Sequence, residues 1–220
     1  MPSDKIKILN EVPYNELEKR VREVTLMGDP DIKPYAHERV KIELKKIDPR
    51  FVRPVSFYYR GLSLEFQKLF RKTMLEEHNI DTFNLDRAYM FQFQLPGFPE
   101  RMIMPPIIEI SLYDGDLPIV MDGIHRTYYA LQQGSDINSM IISNVIIPYY
   151  GVPMPDGWAT MKNSVLIPPN AEKRKFRFRH EDLLYALYRD FGPLKVGSPR
   201  VEGMKETDML FDLNAFMEGK

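Results

Sequence analysis

The residues best suited to chemistry lie in one stretch, LPIVMDGIHRTYYALQQG, from Leu117 to Gly134. An apolar strand is expected over Leu117 to Met121, followed by an Asp-Gly turn. Ile124, Tyr128 and Leu131 then fall at i, i+4 and i+7, which predicts a helix with Gly134 as its C′ residue. The first turn of that helix carries His125 and Arg126, at the end where the partial charge is already positive. Cationic groups are favourable there when an anion neutralises them. A strand, a glycine turn and a helix start with free N–H groups form a ready anion site. Arg126 can grip phosphate oxygens as a bidentate fork, and Thr127 adds a hydroxyl. Ordinary explanations stand beside this one: Arg126 in solvent, His125 in a core contact, Asp122 as a plain N-cap.

Other candidates are weaker. Glu109 lies inside the apolar run PPIIEISLY and is read either as a general base or magnesium ligand near the motif, or as a strand glutamate facing solvent. The four histidines, at 37, 78, 125 and 180, show no metal spacing. In EKRKFRFRH, strand periodicity puts Lys173, Lys175, Arg177 and Arg179 on one face. That ladder reads as a protected edge or as a track for a phosphate backbone. The tyrosine and phenylalanine stripes read as core.

The elements that must position these residues are a series of short strands and helices. Leu17, Val21 and Val24 predict a short helix over Glu16 to Leu26. VKIELKKID alternates as a strand, and Ser63 to Glu77 predicts a helix with Ser63 as N-cap and Phe66, Leu69, Phe70 and Met74 as its stripe. A hairpin is expected around PGFPE, then strands at PPIIEISLY and SMIISNVII. Beyond Pro148, EDLLYALYRDF predicts a short helix stopped by Gly192-Pro193, and the remainder an irregular tail. The chain of 220 residues is 44% hydrophobic and has a net charge of −1, so any taste for nucleic acid must come from a local patch. With no cysteine, disulfides and thiol chemistry are excluded. A charged N-terminus and the lack of a long apolar run lead us to expect a cytoplasmic protein without a membrane partner.

DGIHRTYYALQQG resembles the D-G-x-H-R segment of the ParB/sulfiredoxin-like superfamily. VKIELKKIDPRFVRP is similar to the family's opening strand, the Ser63 to Glu77 helix to its next helix, PPIIEIS to its P-I-x-V strand, and SMIISNVII to the strand after the motif helix. The likeness runs roughly from Val40 to Ile147. It implies an α/β (α+β) fold, a small mixed sheet with packed helices, divided as an arm (1–39), a nucleotide-binding core (40–147) and a C-terminal extension wrapping the core (148–220).

The family binds nucleotide phosphates at this motif, which implies a phosphate cradle of Gly123, Ile124, His125, Arg126 and Thr127. Arg53 and Arg60 lie where its first loop contacts phosphate. Sulfiredoxins carry a cysteine where Ile124 stands, so sulfinic acid repair is excluded. The chain stands nearer to the free-serine-kinase-like members, although RFVRPVSFYYRG lacks the acidic base those members carry at this place. The implied activity is an ATP-dependent phosphotransferase or nucleotide hydrolase, using ATP or another nucleotide with Mg2+. Asp122 would hold the metal or orient the site, His125 would stabilise charge, Glu109 is the candidate base, and the acceptor would be a small-molecule hydroxyl or a nucleic acid. The rival expectation is a nucleic-acid-associated ParB-like binding module without turnover. The sequence leaves oligomeric state open.

Overall fold

A computed structural model describes residues 5–112, 115, 117–149, 151–154, 156–164, 186–196 and 205–219. The motif strand belongs to a four-stranded mixed sheet in the order β3 (Lys41–Ile47), β9 (Ile137–Val145), β7 (Ile107–Ser111) and β8 (Pro118–Asp122). β3 runs antiparallel to β9 and β7 antiparallel to β8, whereas β7 and β9 are parallel. Alternation along these strands divides the apolar side chains between two faces. Ile107, Met140 and Ile142 point to one core, with α1 (Tyr14–Arg22) supplying Leu17 and Val21. Ile108, Ile141 and Val120 point to the other, where Trp158 and Met161 join them and α3 (Ile124–Gln132) packs Ile124, Tyr128 and Leu131 on top.

A second sheet, β1 (Ile6–Val12), β5 (Ala88–Phe93) and β6 (Arg101–Ile103), is antiparallel throughout. It shares a phenylalanine-rich core with α2 (Gly61–His78) and α4 (Glu206–Glu218), built on Phe66, Phe70, Phe91 and Phe93. Two strand pairs complete the fold: β2 (Thr25–Leu26) antiparallel to β11 (Arg189–Asp190), and β4 (Tyr58–Arg60) parallel to β10 (Lys162–Ser164). Together these elements make an α+β fold, as the sequence implies. Among the described residues no helix is long and apolar enough to cross a membrane.

Several expectations need correction. The Ser63 helix begins at Gly61 with Arg60 as its N-cap, because β4 runs directly into it. Ser63 is therefore buried in the first turn rather than capping. Thr25 and Leu26, expected to end the first helix, form β2. The expected irregular tail contains α4, whose Met209, Leu210, Leu213 and Met217 recur at helical spacing and are all buried. In EDLLYALYRDF the described part, from Ala186, is a turn and then β11. There the tertiary engagement of Arg189 overrides local helix propensity. The rest of that segment, and the cationic ladder Lys173 to Arg179, lie outside the described residues.

Candidate phosphate-binding junction

β8 ends at Asp122, and Gly123 turns the chain into α3 with φ +81° and ψ 23°. This left-handed conformation suits glycine. A Cβ here would stand 3.0 Å from Pro106 Cβ and 3.3 Å from Arg126 Nη2, so space as well as backbone requires glycine. Gly123 is itself the N-cap and supplies no side-chain cap. Thr127 returns its backbone N–H to the Gly123 carbonyl at 2.9 Å, and its Oγ donates to the same oxygen at 3.0 Å. The Thr127 hydroxyl is thus engaged within the helix itself.

His125 is directed toward the start of a second helix. Its Nε2 accepts the backbone N–H of Arg60 at 3.2 Å. In that role the ring nitrogen acts as an acceptor toward the α2 start. The bond draws Arg60, the N-cap of α2, against the first turn of α3. Both helix starts lack a side-chain cap among the described residues. Each therefore leaves N–H groups of its first turn for another acceptor. Ser63, in the first turn of α2 and only 4% exposed, has an Oγ without a hydrogen-bond partner. Asn163 on β10 holds its amide against Gly61, 3.0 Å from where a Cβ would stand.

Arg126 is inside the protein, 5% exposed. Together with Thr127 and Ala130 it forms the buried face of α3, so the stripe read from the sequence, Ile124, Tyr128 and Leu131, is the half-buried one. The Arg126 Nη2 donates to the Met104 carbonyl at 2.5 Å, while Nε and Nη1 have no partner. Burial lowers its pKa to about 10, with Asp122 acting in the opposite sense. Burial also raises the Asp122 carboxyl above its ordinary value, against the pull of Arg126, the Gly123 N–H and Arg101. The two unpartnered guanidinium nitrogens leave an under-satisfied spot beneath the turn.

The remaining expectations divide. The backbone N–H of Arg60 is brought to the junction. Arg53 is not: its backbone bridges to Ile119, three residues before Asp122 and roughly 10 Å down the strand. Its guanidinium lies over Gly157, where a Cβ would come within 2.5 Å of Nη1. Glu109 shares a sheet face with Ile107, the face turned away from α3. It is fully buried, accepting Tyr35 Oη at 2.9 Å and Arg189 Nε and Nη2 at 3.2 and 2.9 Å. Neither a base at the motif nor a solvent-facing glutamate describes it. A one-residue step along β7 decides this, since neighbours in a strand face opposite ways. Among the described residues no cluster of three or more histidine, aspartate or glutamate side chains is placed to hold a metal ion.

Sequence reasoning left Tyr59 unassigned and read Tyr128 only as part of the helix's apolar stripe; both rings flank the junction. Their ring centroids are 4.7 Å apart, and Tyr128 stacks on Trp158 at 5.6 Å and 24°. It also passed over Arg189, a single arginine in an apolar segment. The adjacent pair in FYYRG, just before a helix start, was the available signal for Tyr59.

A mixed sheet whose strand feeds a D-G-x-H-R turn and a helix is the architecture of a ParB-like module. A family model described as the ParB CE domain matches residues 16–162, more than half of the chain, and the chain belongs to that family. The match takes in the motif, β3 and α2, stops at the first residue of β10, and leaves β11 and α4 outside. No curated protein and no solved structure matches the chain significantly.

Proposed function

We propose that this is a nucleotide-binding module of ParB type, associated with nucleic acid, which holds phosphates where α2 and α3 begin and does not transfer them. The observation that carries the reading is the Arg60 N–H to His125 Nε2 bond, which brings together two helix starts whose N-cap residues, Arg60 and Gly123, supply no side-chain cap among the described residues. Ser63 Oγ, in the first turn of α2, and the unpartnered Nε and Nη1 of Arg126, in the first turn of α3, offer further donors.

Binding without turnover is favoured over a phosphotransferase by the placement of Glu109. Phosphoryl transfer uses a residue that orients or deprotonates the acceptor. Glu109, the candidate base, is sealed in an ion pair on the opposite sheet face. Magnesium binds through one or two carboxylates together with substrate phosphates, so Asp122 is the residue that would meet a nucleotide-bound Mg2+ here. The nucleic-acid partner rests on the ParB likeness, since a net charge of −1 gives no general attraction.

Titration of the protein with ATP and CTP in the presence of Mg2+, followed by assay of free phosphate and ADP, tests this reading. Saturable binding without product release, together with DNA binding that weakens as salt rises, is the expected result. Steady ADP release with a hydroxyl acceptor would restore the phosphotransferase reading instead.

A further inference from the structure

Beside the junction stands a three-ring ladder whose role is not exhausted by packing. Trp158 forms its base, fixed by an Nε1–H bond to the Pro49 carbonyl at 2.8 Å and almost wholly buried. Tyr128 stacks on it, and Tyr59 lies over Tyr128 with the planes tilted by 41°. Tyr59 is half-buried, so the ladder ends at the surface. Burial, and then the neighbouring Tyr128 phenol, raise the Tyr59 pKa, so the ring stays neutral at physiological pH.

The position of this ring is set by the junction itself. Tyr59 directly precedes Arg60, whose N–H is held by His125, and Tyr128 lies one helical turn beyond His125. An aromatic ring therefore adjoins the corner assigned to phosphate, as the two ends of a nucleotide require. Parallel pairing with β10 holds Tyr59 opposite Asn163, which fixes the backbone beneath the ring.

Resting on the phosphate reading above, we propose that Tyr59 stacks the base of a free nucleoside 5′-phosphate whose phosphates occupy the junction. Every base presents a π-face, so stacking tolerates different bases. In a duplex those faces are already covered by neighbouring pairs. The platform thus selects a free nucleotide over double-stranded nucleic acid at this site.

The experiment compares a nucleoside triphosphate with inorganic tripolyphosphate by calorimetric titration, both with Mg2+, on the intact chain. The nucleotide is expected to bind the wild-type protein about tenfold more tightly, within the effect of one base–aromatic stack. Tyr59→Ala is expected to abolish that difference and leave tripolyphosphate affinity unchanged, while Tyr59→Phe keeps it. Equal affinity of the two ligands for the wild-type protein overturns the base platform and leaves the phosphate site standing, a comparison that needs no variant. Loss of tripolyphosphate and nucleotide binding together in Tyr59→Ala, with an unchanged melting curve, also overturns it. If neither ligand binds the wild-type protein, the phosphate site falls and the platform with it. Competition by a short duplex as strong as by the free nucleotide counts against the proposal; competition by a single-stranded oligonucleotide alone supports stacking of an unpaired base.

Discussion

Glu109 and Arg189, eighty residues apart, form an ion pair in which both side chains are wholly buried, with Nη2 to Oε1 at 2.9 Å. Arg189 also donates to the carbonyls of Ile147, Pro148 and Leu187, and Tyr35 donates to Glu109. The carboxylate lies within the ParB-matched region and the guanidinium beyond it. One buried pair thus ties the later chain to the family's core. Breaking such a pair leaves an uncompensated charge. Arg189→Met or Glu109→Gln is therefore expected to cost about 3–5 kcal/mol in urea denaturation. Replacing the group together (Glu109→Leu, Arg189→Met, Tyr35→Phe) should recover part of that loss, because the desolvated charges vanish with the pairing while the three carbonyls that Arg189 served stay unpaired. Additive losses in the combined variant would show that the pair contributes independently of its charges.

Gly123 gives a second expectation. An L side chain at φ +81° costs about 1–2 kcal/mol by itself, and the Cβ would also press on Pro106. Gly123→Ala should lower the Tm and also weaken phosphate binding, since the turn aims the first N–H groups of α3. The glycines at 97, 115 and 134 also have positive φ but open space around a Cβ. Gly97→Ala therefore serves as the control, with loss of Tm but unchanged ligand affinity.

Asp122 should leave a mark on the pH dependence of stability. Its folded pKa lies above the unfolded value, so the folded state favours the protonated carboxyl. That contribution is fully present below the unfolded pKa and is lost as pH rises through the folded one. Across the mildly acidic range above pH 4 the Tm is expected to fall with rising pH on account of this group. Asp122→Asn should flatten the decline and leave the Tm at neutral pH no lower than in the wild-type protein. Scanning fluorimetry from pH 4 to 8 reads both. An asparagine variant that is markedly less stable at pH 7 would mean that the attraction to Arg126 outweighs burial.

Much of the central sheet was legible because its strands alternate or run apolar between clear turns, as in VKIELKKID and SMIISNVII. The motif's setting was legible for the same reason: strand, glycine, helix. Which way its side chains point was not. A period of two places Glu109 on one face of β7 but cannot say whether α3 covers that face. Arg126 lies on the buried side of α3 because the helix packs with Ala130 inward, a choice made by tertiary contacts that the apolar stripe Ile124, Tyr128, Leu131 did not reveal. Likewise β11 exists because Arg189 finds Glu109, a partner eighty residues away. Long-range charge pairing leaves no local periodicity to read.

Arg126 separates the structural and the ligand-binding accounts of the motif most sharply. Truncation to alanine cannot do so, because emptying a buried site of this size costs about 2–5 kcal/mol whatever the residue's role. Arg126→Met keeps the volume and removes a charge that burial already opposes, as its pKa of about 10 indicates. The apo protein should therefore melt at the same temperature or slightly higher, the lost bond to Met104 being offset by the relief of two unpartnered guanidinium nitrogens. Phosphate binding should weaken by roughly 1.5–3 kcal/mol if those N–H groups turn toward the ligand, the range for hydrogen bonds to a charged partner. Arg126→Lys keeps the charge without the fork and should recover only part of the affinity. Melting temperatures with and without nucleotide, measured on both variants, decide between the accounts. A methionine variant that loses apo stability yet binds nucleotide like the wild-type protein would make Arg126 a strut for Met104 and move the phosphate contacts to the helix N–H groups alone.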